Sequence, residues 1–396
     1  MAGNTITITP ITTGHAFTRN PIMLNMPGAG QRVFSIYGQG YTSASPAYKG
    51  EVTAPVVVNL AEFLEAIVPS IADPGNDDEM IKYGLQDGSV TIAVDDGHQQ
   101  EPQTWQFAAH RGGVSKQNYR RLIEANTDIF AARFLNPACN FFLTTRTHDW
   151  RLNIKETELY PLVFFYPLEE TLAVHDIVGD NTVSLPAVVS EVDYHGKLCS
   201  LNLEAIRQHF LEEYDVIANI FDVLVDNEPA ARIAIQEAQP QRERYRLKFR
   251  NSFGAFEILE LTGAAKWAPA IKGEQDEQEF KRYMADIDDF ATERQRMELS
   301  RVMNVSTGYK TNDELHFILD AIASEEVYLL DVASDPIKVI VTTEELSFDH
   351  HPSGPQALSL TLTPVDGDIC ITGDMADSLA PTRGGLFSQE FAEEFD

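Results

Sequence analysis

The chain has 396 residues, of which 43% are hydrophobic and 23% are charged. This composition is typical of a folded globular protein with room for several domains, and it excludes intrinsic disorder as the main state. The 60 acidic residues against 30 basic ones give a formal net charge of -30, which argues against binding to nucleic acid and against adsorption to anionic membranes.

The sequence shows no signal for secretion or for membrane insertion. The opening residues MAGNTITITPITTGHAF contain neither a basic region nor an apolar core, so they predict no secretory signal. No stretch approaches the roughly 20 apolar residues that a spanning helix needs. The three cysteines, Cys139, Cys199 and Cys370, are far apart, which favours reduced thiols in a protein made in a cytoplasm.

Short alternating or aromatic-rich runs predict strands along most of the chain, because Gly, Pro, Asn and Asp separate them. Strands this numerous and closely spaced predict a mainly β protein with a few helices, folded as two or three sandwich-like or barrel-like domains. In chain order, the predicted strands are residues 5–9, 22–26, 32–37, 51–58, 90–94, 104–109, 141–145, 160–166, 182–189, 223–226, 231–237, 245–249, 256–261, 326–331, 338–342 and 358–363.

Four helices are predicted between the strands, from apolar residues at helical spacing. We interpret each apolar stripe as packing against a sheet. Ser115 and Asn312 are the predicted N-caps of the second and fourth helices. The stripes are Leu60, Phe63, Leu64 and Ile67; Tyr119, Leu122, Ile123, Ile129, Phe130 and Phe134; Leu203, Ile206, Phe210 and Leu211; and Leu315, Ile318, Leu319 and Ile322.

Turn-rich and charged segments predict the domain boundaries. Residues 1–110 are predicted to form an N-terminal β domain, and residues 111–240 a middle α+β domain. Residues 241–365 are predicted to form a C-terminal β domain with one packed helix. Residues 366–396 are predicted to be a loop followed by a docking segment. No strand or helix is predicted for residues 272–297, which are heavily charged.

Residues 242–250, RERYRLKFR, place a cation at every second position. Side chains alternate across a strand, so this run predicts one cationic face and one apolar face. Two interpretations are open. Acidic neighbours across the sheet neutralise the cations, or the cations form a docking face for an acidic surface, such as another copy of the protein. The candidate interface residues are Arg242, Arg244, Arg246, Lys248 and Arg250.

A second candidate interface lies in the last residues, LFSQEFAEEFD, which follow the glycine pair Gly384–Gly385. Phe387, Phe391 and Phe395 are four residues apart, and this spacing puts all three rings on one side of a helix. A helix this short is marginal in isolation. It therefore needs a surface, either on its own domain or in a groove on a neighbouring subunit.

The familiar local signatures of catalysis are absent from the sequence. No GxSxG, HExxH or P-loop motif occurs, and no GxGxxG opens a helix after a strand. His350 and His351 are adjacent and would point to opposite faces of a strand, and the acidic residues between 73 and 79 lack EF-hand spacing. We therefore expect no catalytic residue, no cofactor, no metal and no enzymatic activity.

Segments made of aromatics and turns recur along most of the chain, at residues 17–22, 111–116, 140–147, 251–254, 256–263, 306–309, 312–315, 324–331, 336–341 and 358–362. They resemble segments of tail structural proteins of phages and prophages of Bacteroidetes. The resemblance implies a non-enzymatic virion protein of the tail tip or baseplate, with copies of itself (a homo-oligomer) and other tail proteins as partners. A host surface glycan is a further partner that we considered.

Two alternatives to this function remain open at the level of sequence. The first is a carbohydrate-binding adhesin that stacks a host glycan on aromatic residues, with Trp105, Trp150 and Trp267 as candidates. The second is a glycan-degrading enzyme with a pair of carboxylates. Sequence spacing does not identify such a pair among 60 acidic residues.

Overall fold

The structure is a computed structural model of the chain. Strands make up 46% and helices 16% of the described residues, which confirms the prediction of a mainly β fold with few helices. The structure describes residues 5–42, 45–95, 101–139, 141–146, 150–166, 171–186, 197–241, 243–277, 292–332, 335–343 and 354–366.

The elements of the described residues are numbered in chain order. Strands up to residue 110 are β1 (Thr7–Thr9), β2 (His15–Phe17), β3 (Met23–Tyr37), β4 (Tyr48–Asn59), β5 (Ile81–Tyr83), β6 (Ser89–Asp95) and β7 (Gln103–His110). The next are β8 (Arg151–Lys155), β9 (Leu162–Tyr166), β10 (Leu172–Asp176), β11 (Asn181–Ser184), β12 (Lys197–Leu201), β13 (Ile220–Val225) and β14 (Glu228–Gln236).

The remaining strands and the helices complete the list. The strands are β15 (Tyr245–Arg250), β16 (Phe256–Leu261), β17 (Ala265–Glu277), β18 (Thr292–Ser306), β19 (Val327–Leu329), β20 (Ile337–Thr342) and β21 (Ser359–Pro364). The α-helices are α1 (Ala61–Ile67), α2 (Lys116–Glu124), α3 (Leu203–Tyr214) and α4 (Asn312–Ala323); a π-helical turn spans Phe130–Phe134 and a 3-10 turn spans Glu156–Glu158.

The first sheet is built from the long antiparallel pair β3 and β4 and their neighbours. Its strand order is β1-β3-β6-β7-β2, and β4 pairs with β3 outside this path. Leu24, Ile36 and Ile92 are buried on its inner face together with Leu64 of α1. The predicted packing of the first helix against a sheet is therefore confirmed for this side chain.

Two sheets form the middle of the molecule. One has the order β11-β10-β13-β14-β8, and the other has the order β5-β12-β9. Ile206 and Phe210 of α3 are buried in the core that these sheets enclose. Strand β5 comes from the first 110 residues but pairs with β12, with Cys199 opposite Tyr83. The first part of the chain thus contributes a strand to a sheet of the middle part.

The last sheet has the order β16-β15-β19-β20-β21-β18-β17. Leu247 and Phe249 of β15 point into its core, where Phe317 and Ile318 of α4 cover them. The predicted apolar face of this strand and the predicted packing of the fourth helix are both confirmed. The hairpin of β17 and β18, with strands of 13 and 15 residues, was not predicted.

A further core joins all three parts of the chain. Phe17, Phe165 and Phe253 are buried in one cluster with Phe130 and Phe134 of the π-helical turn. The ring centroids of Phe17 and Phe130 are 4.8 Å apart, and those of Phe134 and Phe253 are 5.1 Å apart. Residues that the sequence assigned to three domains therefore share one aromatic core.

Close backbone contact accompanies this aromatic core. The amide of Gly113 donates to the carbonyl of Ser252 at 2.8 Å. A Cβ at Gly112, whose φ is +147°, would lie 2.6 Å from the carbonyl carbon of Phe253. Only glycine allows the two segments to approach this closely.

Several predicted elements differ from the structure. The second helix is capped by Ser115 as predicted but ends at Glu124, and no residue of it is buried. The chain turns after it because Asn126 has a φ of +49°, and Phe130–Phe134 forms a separate π-helical turn. The predicted strand at residues 141–145 is only an isolated bridge between Phe142 and Phe164.

The start of the fourth helix is also corrected. Thr311 is the N-cap, and Asn312 is the first helical residue. The Glu314 carboxylate accepts hydrogen bonds from the Thr311 amide at 2.9 Å and from the Thr311 hydroxyl at 3.0 Å. Threonine followed three residues later by glutamate is a capping pattern that the sequence interpretation overlooked.

Candidate functional site

The cationic face of β15 is neutralised within the chain. Of the five candidate cations, Arg242 lies outside the described residues, and each of the other four pairs with a carboxylate. These pairs favour the first interpretation of the stripe, in which acidic neighbours balance it. The pairs are Arg244 with Glu260 at 2.5 Å, Arg246 with Asp331 at 2.5 Å, Lys248 with Asp73 at 2.6 Å and Arg250 with Glu326 at 2.6 Å.

The pair between Lys248 and Asp73 is part of a contact between three segments. The Lys248 ammonium lies 5.8 Å from the ring centroid of Tyr160 and 5.2 Å from that of Phe256. The Tyr160 hydroxyl donates to the Asp73 carboxylate. Burial opposes ionisation of Asp73, but the hydrogen bonds from Lys248 and Tyr160 outweigh it and lower the pKa of this carboxyl. Lys248 therefore makes its contacts within the chain, with Asp73 and with two aromatic rings.

A buried ion network connects the middle of the chain to the last sheet. Arg146 Nη1 lies 2.7 Å from Glu158 Oε2, and Arg146 Nε lies 3.5 Å from Glu257 Oε1. The same guanidinium donates to the carbonyl of Ile258 at 2.8 Å and lies 3.8 Å from the ring centroid of Phe317. One arginine thus balances two carboxylates that are almost fully shielded from water.

The network shifts several pKa values in different directions. Burial raises the pKa of Glu257, and Arg146 only partly offsets it. Burial also opposes ionisation of Glu158, but the charges of Arg146, Lys310 and Lys155 hold its pKa below the usual range. Burial lowers the pKa of Lys310 to about 8. Shifts of this kind are typical of acid–base sites. Such a site also needs space for a substrate beside these groups.

That space is too small for a substrate. The cavity lined by Arg146, Glu158 and Glu257 has a volume of about 10 Å³, which is at the lower limit for a single water molecule. Glu257 is held by hydrogen bonds from Thr144 Oγ1 and Asn251 Nδ2, both at 2.6 Å. We therefore interpret this network as a structural joint between the middle of the chain and the last sheet.

A buried histidine pair lies beside the shared aromatic core. His15 Nδ1 and His110 Nε2 are 3.0 Å apart, and His110 Nδ1 is 2.7 Å from Gln86 Oε1. Burial, together with the neighbouring His15, lowers the pKa of His110 well below its usual value. The rings pack against Phe130 and Phe165. The sequence analysis missed this pair because the two residues are 95 positions apart.

An apolar groove with a volume of about 700 Å³ opens in the last sheet. On the inner face of the sheet, α4 covers the half that carries Leu247 and Phe249. The groove occupies the other half. We use "the groove" for the surface lined by Trp267, Pro269, Leu299, Arg301, Met303, Leu329, Val332, Ile337, Val339, Leu362, Pro364 and Asp366.

The groove extends the apolar core to the surface. Met303 and Leu362 at its floor are buried, whereas Trp267 at its rim is 46% exposed. Arg301 and Asp366 supply the charges among the lining residues. Exposed apolar surfaces that polar residues surround are typical of interaction sites.

A two-stranded ribbon projects beside the groove. Strand β18 pairs with β17 from Val305 down to Thr292, but it pairs with β21 only between Met303 and Ser306. The part of β18 that precedes Met303 therefore extends past the rest of the sheet. Its length is about 35 Å, at about 3.3 Å per residue.

The three tryptophans differ in their environments. Trp105 packs against the core of the first sheet. Trp150 is 43% exposed, and the Arg232 guanidinium lies 4.4 Å from the centroid of its ring. Trp267 lines the groove. Two of the three candidate stacking residues of the adhesin alternative are thus accessible.

The remaining sequence candidates either have structural roles or lie outside the described residues. Asp77 pairs with Lys82 at 2.8 Å. Among the described residues, no group of three or more His, Cys, Asp or Glu is placed to hold a metal ion. No described helix is both long enough and apolar enough to cross a membrane. The candidates Phe387, Phe391, Phe395, His350, His351 and Cys370 lie outside the described residues.

The chain was compared with protein families and with curated proteins. No protein-family model matches the chain, and no curated protein matches it. The resemblance to phage tail proteins therefore depends on the short sequence segments alone.

Proposed function

We propose that the protein is a non-enzymatic structural component of the tail tip or baseplate of a phage, or of a related prophage-derived particle. It acts by assembly, as a homo-oligomer and with other tail proteins, and it is located in the virion. The observation that carries the proposal is the groove of about 700 Å³ at the open half of the last sheet. Open apolar surfaces of this size mark interaction sites.

The interior of the molecule supports the same function. The buried ions Arg146, Glu158 and Glu257 make contacts within the chain, and the cavity beside them holds at most one water molecule. The aromatic core joins Phe17, Phe165 and Phe253. These contacts hold the parts of the chain together, which suits a structural component of an assembly.

Immunogold electron microscopy of particles released from the host tests the proposal. Antibody against the protein should label one end of the tail, and mass spectrometry of the purified particles should detect the chain at a fixed ratio to the other tail proteins. Particles that remain unlabelled, with the protein recovered only in other cell fractions, would overturn the proposal.

The second candidate is a carbohydrate-binding adhesin, and the exposure of Trp267 favours it. A tryptophan that is 46% exposed beside an open groove offers an aromatic face to a sugar ring. A glycan array probed with the intact protein distinguishes the two candidates. Binding that Trp267→Ser abolishes and Trp150→Ser preserves would support the adhesin function.

A further inference from the structure

We propose that residues 386–396 of the same chain fill the groove in the isolated protein. In the molecule that has not yet assembled, the aromatic segment closes the surface through which the protein later contacts its neighbours. The inference rests on the proposed function, because it names the occupant of the surface that we assign to assembly.

The path of the chain supports this occupant. Strand β21 contributes Leu362 and Pro364 to the groove, and the last described residue, Asp366, lines it as well. The chain therefore leaves the described part of the molecule at the groove itself. About 20 residues separate Asp366 from Leu386, and a chain of that length spans up to about 65 Å when fully extended. The segment can therefore reach back to the groove.

The chemistry of the segment matches that of the groove. The segment carries the rings of Phe387, Phe391 and Phe395, and on a helix the first and last of these are about 12 Å apart along the axis. Its charged residues, Glu390, Glu393, Glu394 and Asp396, are all acidic. Of the two charged residues in the groove, Arg301 can pair with one of them and Asp366 repels them, so the rings supply most of the attraction. The groove volume of about 700 Å³ is within the range of about 300 to 1,000 Å³ for sites that bury most of a bound ligand.

Connection through the chain decides which copy supplies the segment. Attachment through about 20 residues gives the segment an effective concentration in the millimolar range at the groove, which exceeds the concentration of free copies in dilute solution. The segment of the same chain therefore occupies the groove before the segment of another copy does. When many copies meet in an assembly, the same contact can exchange between neighbours, as in domain swapping.

A peptide titration tests this occupancy. A synthetic peptide of residues 384–396 is added to the full-length protein with Phe387→Ser, Phe391→Ser and Phe395→Ser, and separately to the unaltered protein. The triple variant should bind the peptide about ten-fold or more tightly than the unaltered protein, because its groove is empty. A peptide carrying the same three Ser replacements is the control and should bind neither protein.

Changes in the groove identify the binding site. Trp267→Ser added to the triple variant should weaken peptide binding about ten-fold. Trp150→Ser is the matched control, because this tryptophan is exposed to a similar extent (43% against 46%) but lies outside the groove, and it should leave binding unchanged. Arg301→Glu, which places an acid against the acidic segment, should also weaken binding. Circular dichroism confirms that each variant is folded.

Three results would overturn the inference. If the peptide binds neither protein, the groove is not the binding site of the segment. Equal binding to the triple variant and the unaltered protein shows that the own segment does not fill the groove. A dimer of the unaltered protein that the triple variant loses, measured by mass photometry, assigns the groove to the segment of a second copy. Expected peptide binding together with unlabelled particles would overturn the phage function and keep this inference, and the reverse results would do the opposite.

Discussion

Arg146 shows how this chain keeps charges in its interior. The side chain is 10% exposed, and its two partners, Glu158 and Glu257, are 2% and 6% exposed. A buried charge that loses its partner is strongly destabilising. The arginine is therefore required mainly because two carboxylates of different segments depend on it.

Replacing this arginine gives the first prediction. Arg146→Met should lower the free energy of unfolding by about 3 to 5 kcal/mol, because it removes the cation nearest to the buried carboxylates of Glu158 and Glu257. Arg246→Gln is the control, since its pair with Asp331 is partly exposed on both sides and such pairs contribute about 0 to 1 kcal/mol. Urea unfolding measures both. Equal losses for the two variants would show that Arg146 is not the centre of a buried network.

His110 gives the second prediction, which concerns pH. Its pKa in the folded protein is lowered by burial and by His15, whereas an unfolded histidine has a pKa of about 6.5. The unfolded chain therefore takes up the proton first as the pH falls. Stability is fully present above about pH 6.5 and decreases below it, by up to about 1.4 kcal/mol per pH unit, until the folded pKa is reached.

Denaturant unfolding at pH 7.0 and pH 5.5 checks this expectation. The unaltered protein should be less stable at pH 5.5. The double variant His15→Phe with His110→Phe, which keeps aromatic packing against Phe130 and Phe165, should lose less stability over the same interval. Equal losses in the two proteins would assign the pH dependence to other groups.

At the scale of elements, the cationic strand illustrates what sequence patterns reveal and what they do not. The alternation predicted the strand correctly, and the burial of Leu247 and Phe249 confirms its apolar face. The partners of its cations were not predictable, because Asp73 is far away in the sequence and Glu326 and Asp331 flank a different strand. Alternation is a local property, whereas charge balance across a sheet depends on topology.

The third prediction concerns this strand. Replacing Arg244, Arg246 and Lys248 together by Ser should leave the oligomeric state unchanged, because these cations already have partners inside the chain. The loss in the free energy of unfolding should exceed the value of about 0 to 1 kcal/mol for a single exposed pair, because replacing Arg244 leaves the buried carboxylate of Glu260 without this partner. Mass photometry and thermal melting measure the two effects. Loss of assembly with an unchanged melting temperature would restore the docking interpretation.

The long hairpin and the interrupted helix show the limits of local patterns most clearly. Strands β17 and β18 include much of the charged region 272–297, where the sequence has no strand-like alternation of apolar and polar residues. Residues 115–134 have helical periodicity, but Asp128 accepts hydrogen bonds from Thr12 and Thr13 and fixes the chain in a turn. The groove was likewise invisible in sequence, since it exists only where α4 stops covering the sheet.

At the scale of the whole molecule, the aromatic core links the three parts of the chain. Phe17, Phe165 and Phe253 come from distant parts of the chain and share one buried cluster. Arg146 and Lys248 form further contacts between these parts. The described sheets should therefore behave as a single cooperative unit.

The fourth prediction tests this cooperativity. Differential scanning calorimetry of the unaltered protein should show one main transition. Phe253→Ala should cost about 3 to 5 kcal/mol and separate the transition into at least two, because it weakens the contact that the last sheet makes with the rest. Leu211→Ala, at a residue of α3 that is 40% exposed, is the control and should keep a single transition. A single transition in both variants would place the coupling elsewhere.

The pairing of β5 with β12 has a consequence for the synthesis of the protein. Strand β5 leaves the ribosome on the order of a hundred residues before its partner, which at typical elongation rates is a delay of about ten seconds. During that time its backbone groups have no strand to pair with. Because β5 has only three residues, it offers little template for pairing with a neighbouring nascent chain. The short length of β5 thus reduces the chance of wrong pairing during the interval before β12 is synthesised.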